Sequence, residues 1–233
     1  MKKNMHITRV VCYAAIALSV GTAQAAAIDR LPSCEGAAWS DTCRVDVPNG
    51  SLAGPFDDAL FHRASWGGAW EPEPLRHSVA EHVAPWHYVD GSGHRYQHGT
   101  AETSFAIGHP GDGLSQVIPL PAQDLPPMHD VVYAVRAHVD PVRGAARVGL
   151  KASVQRRGVS LDASEGGATI GRPTPGGIGR TVLTWVLVPA GETADAIQVE
   201  VNVEAADGPV AVKGVEIVRA DEAADRSWLT SFH

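Results

Sequence analysis

The stretch "IQVEVNVE" at residues 197–204 alternates without a break, with Ile197, Val199, Val201 and Val203 set against Gln198, Glu200, Asn202 and Glu204. A period of two sends the two sets to opposite faces of an extended strand, one buried and one wetted. The pattern recurs in "VVYAVRAHV" (131–139), where Val131, Tyr133, Val135, Ala137 and Val139 oppose Val132, Ala134, Arg136 and His138. It recurs again in "RVGLKASVQ" (147–155), with Val148, Leu150, Ala152 and Val154 against Arg147, Lys151, Ser153 and Gln155. "TVLTWVLVP" (181–189) is apolar on both faces, which predicts a central or doubly covered strand with Trp185 in the core. In "VAVKGVEIV" (210–218) the apolar phase slips at Lys213-Gly214, which predicts a β-bulge.

Weaker strand patterns fall near Arg44–Val47, Arg95–Gln97, Thr103–Ile107 and Ser115–Leu120, for eight or nine strands in all. Breakers separate them: "GHPGDG", "PAQDLPP", "DPVRG" and "PTPGG". Residues 156–180, "RRGVSLDASEGGATIGRPTPGGIGR", are Gly-rich, polar and long, and predict a mobile loop between two strands. A helical period is visible only in "PLRHSVAEHV" (74–83). Parallel sheets need crossover helices, so the fold class predicted is all-β, an antiparallel β-sandwich of jelly-roll type.

The first 25 residues read as a secretory signal peptide, with basic Lys2, Lys3 and Arg9, an apolar run from Val10 to Val20, and Ala23-Gln24-Ala25 as a small-x-small cleavage site. The run is too short to span a bilayer, so no membrane insertion is expected and the chain should be exported, to the periplasm or beyond. Cys34 and Cys43 then remain as an even pair in an oxidising compartment and are expected to form a disulfide. Closing so short a loop is worth about 2.5–3 kcal/mol of chain entropy. The resulting domain map is a signal peptide at 1–25, a disulfide-stapled segment at 26–44, the sandwich at 45–219 and a tail at 220–233 carrying Trp228 and Phe232. A net charge of −7, with both signs interspersed, argues against nucleic acid as a partner.

"VPNGSL" (47–52) followed by "WGGAW" (66–70), then "GLSQVIPLP", "VVYAVRAHV", "TWVLVPAG", "IQVEVNV" and "VKGVEIVRA" in that order, resembles carbohydrate-binding modules with the galactose-binding-like jelly-roll fold. The resemblance runs over residues 45–219 and implies a β-sandwich that binds glycans without catalysis. It also carries a departure: where that family often has acids that help hold a structural calcium, this chain has Ala53 and Lys213. No metal and no cofactor are therefore expected.

"APWHYVDGSGHRYQHG" (84–99) is the densest chemistry in the chain. Its histidines, with His77 and His82 nearby, suit a transition metal by type. His94 and His98, however, would stand about 13 Å apart on a strand. Arg95, Tyr96 and His98 are the residue types of a lyase that abstracts a proton beside a uronate, yet no paired-acid motif or Gly-x-Ser-x-Gly elbow accompanies them. The third reading is an aromatic loop that stacks on sugar rings. On that reading the ligand-binding set is Trp86, Tyr88, His94, Arg95, Tyr96 and His98, joined by Arg136 and His138 from the wetted strand face. Lys151, Gln155, Gln198, Glu200 and Asn202 are the other members of that face. The function expected is binding of a glycan or polysaccharide. The alternatives are a structural or adhesive envelope protein and a metal-dependent or lyase-like enzyme.

Overall fold

The computed structural model describes residues 31–39, 41–52, 85–89, 95–98, 104–107, 110–123, 125–141, 144–171, 180–208 and 210–221. Eleven strands appear among them: β1 (Cys43–Val45), β2 (His87–Val89), β3 (Arg95–His98), β4 (Ser104–Ile107), β5 (Gly113–Pro119), β6 (Val131–Pro141), β7 (Ala146–Arg156), β8 (Val159–Ile170), β9 (Arg180–Val188), β10 (Ala196–Ala206) and β11 (Val210–Asp221). They form two sheets. One runs β3-β4-β11-β6-β9 with β1 also on β11, the other β2-β5-β10-β7-β8, and every strand pairing is antiparallel. The fold class is the expected all-β sandwich.

The buried phases of the alternating strands meet between the sheets. Val135, Ala137 and Val139 of β6 and Val182, Val186 and Val188 of β9 share one core with Val148, Leu150 and Val154 of β7 and Ile197, Val199, Val201 and Val203 of β10. Each fully buried aliphatic side chain removes apolar surface worth about 1.5–3 kcal/mol. The expected bulge is present in β11: the register against β6 shifts between Val212 and Gly214. Val212 thus faces the core before the bulge, and Val215 and Ile217 face it after.

Two expectations change. The segment read as a loop over 156–180 contains β8, which pairs with β7 along its whole length. β8 and β2 join the strands that the alternation marks, for eleven among the described residues. Trp185 is not core; β9 is an edge strand, and the indole is 40% exposed on its outer side. The two apolar phases of β9 are there because one packs inward and the other, Leu183 and Leu187, is half-buried outside. The pattern at 74–83, Trp66, Trp70, Ala53, the signal segment and the tail beyond Asp221 lie outside the described residues.

Cys34 and Cys43 are joined by a disulfide, and both are buried. The segment they staple pairs with β11 through β1 and packs Ala37 and Trp39 against the core. Arg219, 1% exposed, donates through Nη2 to the carbonyls of Ala37 (3.2 Å) and Ala38 (2.5 Å), and its guanidinium lies 5.3 Å from the Trp39 ring centre. Burial pushes the Tyr133 hydroxyl up to about 12 despite the neighbouring Arg219 charge. The Arg219 Nη2 bonds tie the N-terminal segment to β11.

Candidate functional site

The cross-strand register of the five-stranded sheet sets its outward residues in rows. One row runs His87, Ser115, Glu200, Lys151 and Glu165 across β2, β5, β10, β7 and β8. The next runs Val117, Gln198, Ser153 and Ala163. Between them the surface sinks into an open trough of about 390 Å³ lined by Lys151, Ser153, Ala163, Glu165, Gln198 and Glu200, with Ala152 and Ser164 beneath. The floor is low because Ser153 and Ala163 are short. The walls are high because Lys151, Glu165, Glu200 and Gln198 are long.

Hydrogen bonds hold the walls. Lys151 Nζ donates to Glu200 Oε1 (3.3 Å), and Gln155 Nε2 donates to Gln198 Oε1 (2.7 Å). The hydroxyls of Ser153 and Ser160 lie 2.8 Å apart. Fixing long side chains in this way lowers the ordering entropy a ligand would otherwise face. Beside the trough, Asn202 lies over Gly149, where a Cβ would stand 2.3 Å from Asn202 Oδ1. A side chain at 149 would displace the amide.

β8 supplies the far wall, and its seat is polar. Ser164 Oγ accepts from Thr184 Oγ1 (3.1 Å), and the Asp162 carboxylate accepts from the Leu187 backbone N–H (2.8 Å). Gly166 permits the approach, since a Cβ there would lie 2.0 Å from the Leu183 carbonyl oxygen. The sequence reading missed Ala163, Ser164 and Glu165 because β8 buries almost no apolar side chain. The missed signal was the turn. Arg157 (φ 51°) and Gly158 (φ 77°) both adopt the left-handed conformation that a two-residue hairpin requires.

The stretch 84–99 divides between the sheets instead of forming one loop. Residues 87–89 are β2, on an edge of the five-stranded sheet, and residues 95–98 are β3, on an edge of the other. Tyr88 is paired with Leu114, Arg95 with Ile107, Tyr96 with Ala106 and His98 with Ser104. His94 lies outside the described residues. Trp86 is not a stacking platform: it is 2% exposed, packs in the core and donates its indole N–H to the Asn49 carbonyl (3.0 Å). A large ring beside an edge strand, with a backbone acceptor in reach, gains more from burial than from water.

Arg136 and His138 are also separated from the trough, because β6 belongs to the six-stranded sheet. Arg136 is buried and its Nε donates to Glu216 Oε2. His138 Nε2 meets the same oxygen at 3.2 Å, and its Nδ1 lies 3.3 Å from Thr181 Oγ1. Burial pushes the Glu216 carboxyl up, but the hydrogen bonds from His138 and Arg136, with their charges, outweigh it and hold the group below 4.5. Lys213, which stands where the resembled family often has an acid, pairs with Asp140 at 2.5 Å. No group of three or more His, Cys, Asp or Glu side chains able to hold a metal occurs among the described residues.

No family model matches the chain, and no curated protein matches it. Solved structures do. The chain is similar to TmCBM61, described in complex with β-1,4-galactotriose, at 16% identity over 57% of this chain and 88% of that one, with a TM-score of 0.35. It is similar to the xylan-binding module CBM15 at 18% identity over 59% and 92%, TM-score 0.35. It is also similar to a cyclase from Fischerella sp. TAU at 12% identity over 78% and 98%, TM-score 0.40.

Proposed function

We propose that this protein is an exported glycan-binding β-sandwich protein that holds its ligand, without catalysis, in the trough across β10, β7 and β8. The observation that carries the reading is the trough itself. Its volume falls in the range of about 300–1,000 Å³ seen for ligand sites. Its walls carry donors and acceptors of the kinds that clasp hydroxyls: an ammonium, two carboxylates and the Gln198 amide, with Lys151 fixed to Glu200 and Gln198 held by Gln155 beside the trough. Ala163 on the floor and Val117 at the β5 end offer small apolar surfaces to the CH face of a pyranose. Strands stand about 4.8 Å apart, so a polysaccharide lying across them presents successive residues to successive strands.

Binding of this kind rests on many modest hydrogen bonds, each worth about 0.5–1.5 kcal/mol net, or about 1.5–3 kcal/mol to a charged group. Glycan-array screening of the mature protein, followed by titration of Lys151→Ala and Gln198→Ala, tests the reading. A glycan signal that each substitution weakens roughly fivefold to tenfold supports it, on the 1.4 kcal/mol-per-tenfold scale. A folded wild type with no glycan signal refutes it and leaves the envelope-adhesion reading in front. Export is tested separately: the mature N-terminus should lie at or near Ala26, and a retained Met1 on exported protein would refute cleavage.

A further inference from the structure

Resting on the trough as the glycan site, we propose that it selects uncharged glycans and excludes chains bearing uronate, sulfate or phosphate groups, with Glu165 as the excluding residue. Two carboxylates and a single ammonium line the trough. The ammonium is committed, because Lys151 Nζ donates to Glu200 Oε1 at 3.3 Å. Glu165 stands opposite Lys151 in the β7–β8 register, yet it makes no ion pair among the described residues and is exposed.

Two other cations on this sheet carry their own carboxylates, and Arg157, at the β7–β8 turn, is not among the residues that line the trough. Arg147 pairs with Glu204 at 2.5 Å and Arg156 with Glu192 at 2.8 Å. The acids close by do not alter the balance. Asp162 faces β9 and accepts from Leu187 N–H, and Asp195 accepts from the Arg157 N–H at 2.6 Å. An entering anion would meet the unpaired Glu165 carboxylate, and no guanidinium among the residues that line the trough would clasp it.

An uncharged sugar meets the same groups favourably. Its hydroxyls donate to the Glu165 carboxylate, a charge-assisted hydrogen bond about twice as strong as a neutral one. The Gln198 amide and Ser153 can either donate or accept. Like charges placed together act mainly as a filter against wrong partners, and the filter is screened by salt because the trough is open.

The test pairs neutral with acidic polymers: glucan, galactan, xylan and mannan against polyglucuronate, polygalacturonate, alginate and heparin, each titrated into the wild type at low and high salt. The expected result is binding to at least one neutral polymer and roughly tenfold or more weaker binding to every acidic one, with the gap narrowing as salt screens the carboxylates. Glu165→Lys reverses the sign at the wall and should raise affinity for the acidic polymers about tenfold at low salt. Equal or tighter wild-type binding to an acidic polymer overturns the selectivity and leaves glycan binding standing. A folded wild type that binds neither class removes the glycan reading itself, and the selectivity falls with it.

Discussion

The two outer faces of the sandwich are written in the same alternation and end in opposite conditions. On the six-stranded sheet the outward residues Val132, Ala134, Arg136, Val218 and Ala220 are all buried. On the five-stranded sheet the outward residues Ser153, Gln155, Gln198 and Glu200 are half-buried, and Val117 is 55% exposed. Period-two alternation announces that a strand has two faces, and the residue types in the second phase decide how wet that face is. In β6 and β11 the second phase is partly Val and Ala, and its charged members are locked to one another. In β7 and β10 it is polar throughout and opens onto the trough. The candidate site belongs to the face whose second phase is polar along several neighbouring strands.

The largest expected effect separates core from ligand surface in the stretch 84–99. Trp86→Ala removes a buried ring and its hydrogen bond to Asn49, and should cost about 3–5 kcal/mol in a urea melt. A loss below about 1 kcal/mol with weakened glycan binding would return Trp86 to the ligand surface.

A pair of glutamate variants sharpens the comparison of faces. Glu216→Ala takes the carboxylate from a buried guanidinium and should cost about 3 kcal/mol. Glu200→Ala takes it from a half-exposed ammonium and should cost less than about 1 kcal/mol. Equal costs would break the distinction between a locked face and an open one.

A smaller effect tests the seat of β8. Gly166→Ala forces a Cβ against the Leu183 carbonyl and should destabilise by about 1–3 kcal/mol. Gly167→Ala meets only ordinary contacts, 3.5 Å at the closest, and should be near neutral. Tolerance of Gly166→Ala would mean that β8 is not packed on β9, and the far wall of the trough would lose its support.

The smallest effect is acid sensitivity. The Glu216 carboxyl is held below 4.5 in the fold, so its contribution is present above the unfolded value and is lost as pH falls from about 4.5 through the folded value. Stability of the wild type should therefore decline more steeply below pH 4.5 than that of Glu216→Gln, measured by thermal melts across acid pH. Parallel curves would contradict the assignment.

Much of the sandwich was legible in the sequence, because β6, β7 and β10 carry the alternation that core burial demands and Lys213-Gly214 carries the phase slip of a bulge. The disulfide was legible from an isolated even pair of cysteines. Part of the trough was legible too: Lys151, Ser153, Gln198 and Glu200 stand out in the polar phase of β7 and β10. Glu165 and Ser164 were not, since an edge strand seated through hydroxyls, a carboxylate and a glycine contact shows no apolar period. Arg136 and His138 were grouped with the wrong partners because periodicity assigns a face to each strand and says nothing about which sheet the strand joins. Aromatic density drew attention to 84–99, where Trp86 in fact serves the core.

Chemical-shift mapping of the isotopically labelled protein with a bound neutral oligosaccharide tests the central claim most directly. Perturbed amides should concentrate on β10, β7 and β8 around Gln198, Lys151, Ser153 and Glu165, and spare the outer face around His138 and Glu216. Perturbations centred on β6, β9 and β11, with those at the trough unmoved at saturation, would contradict it.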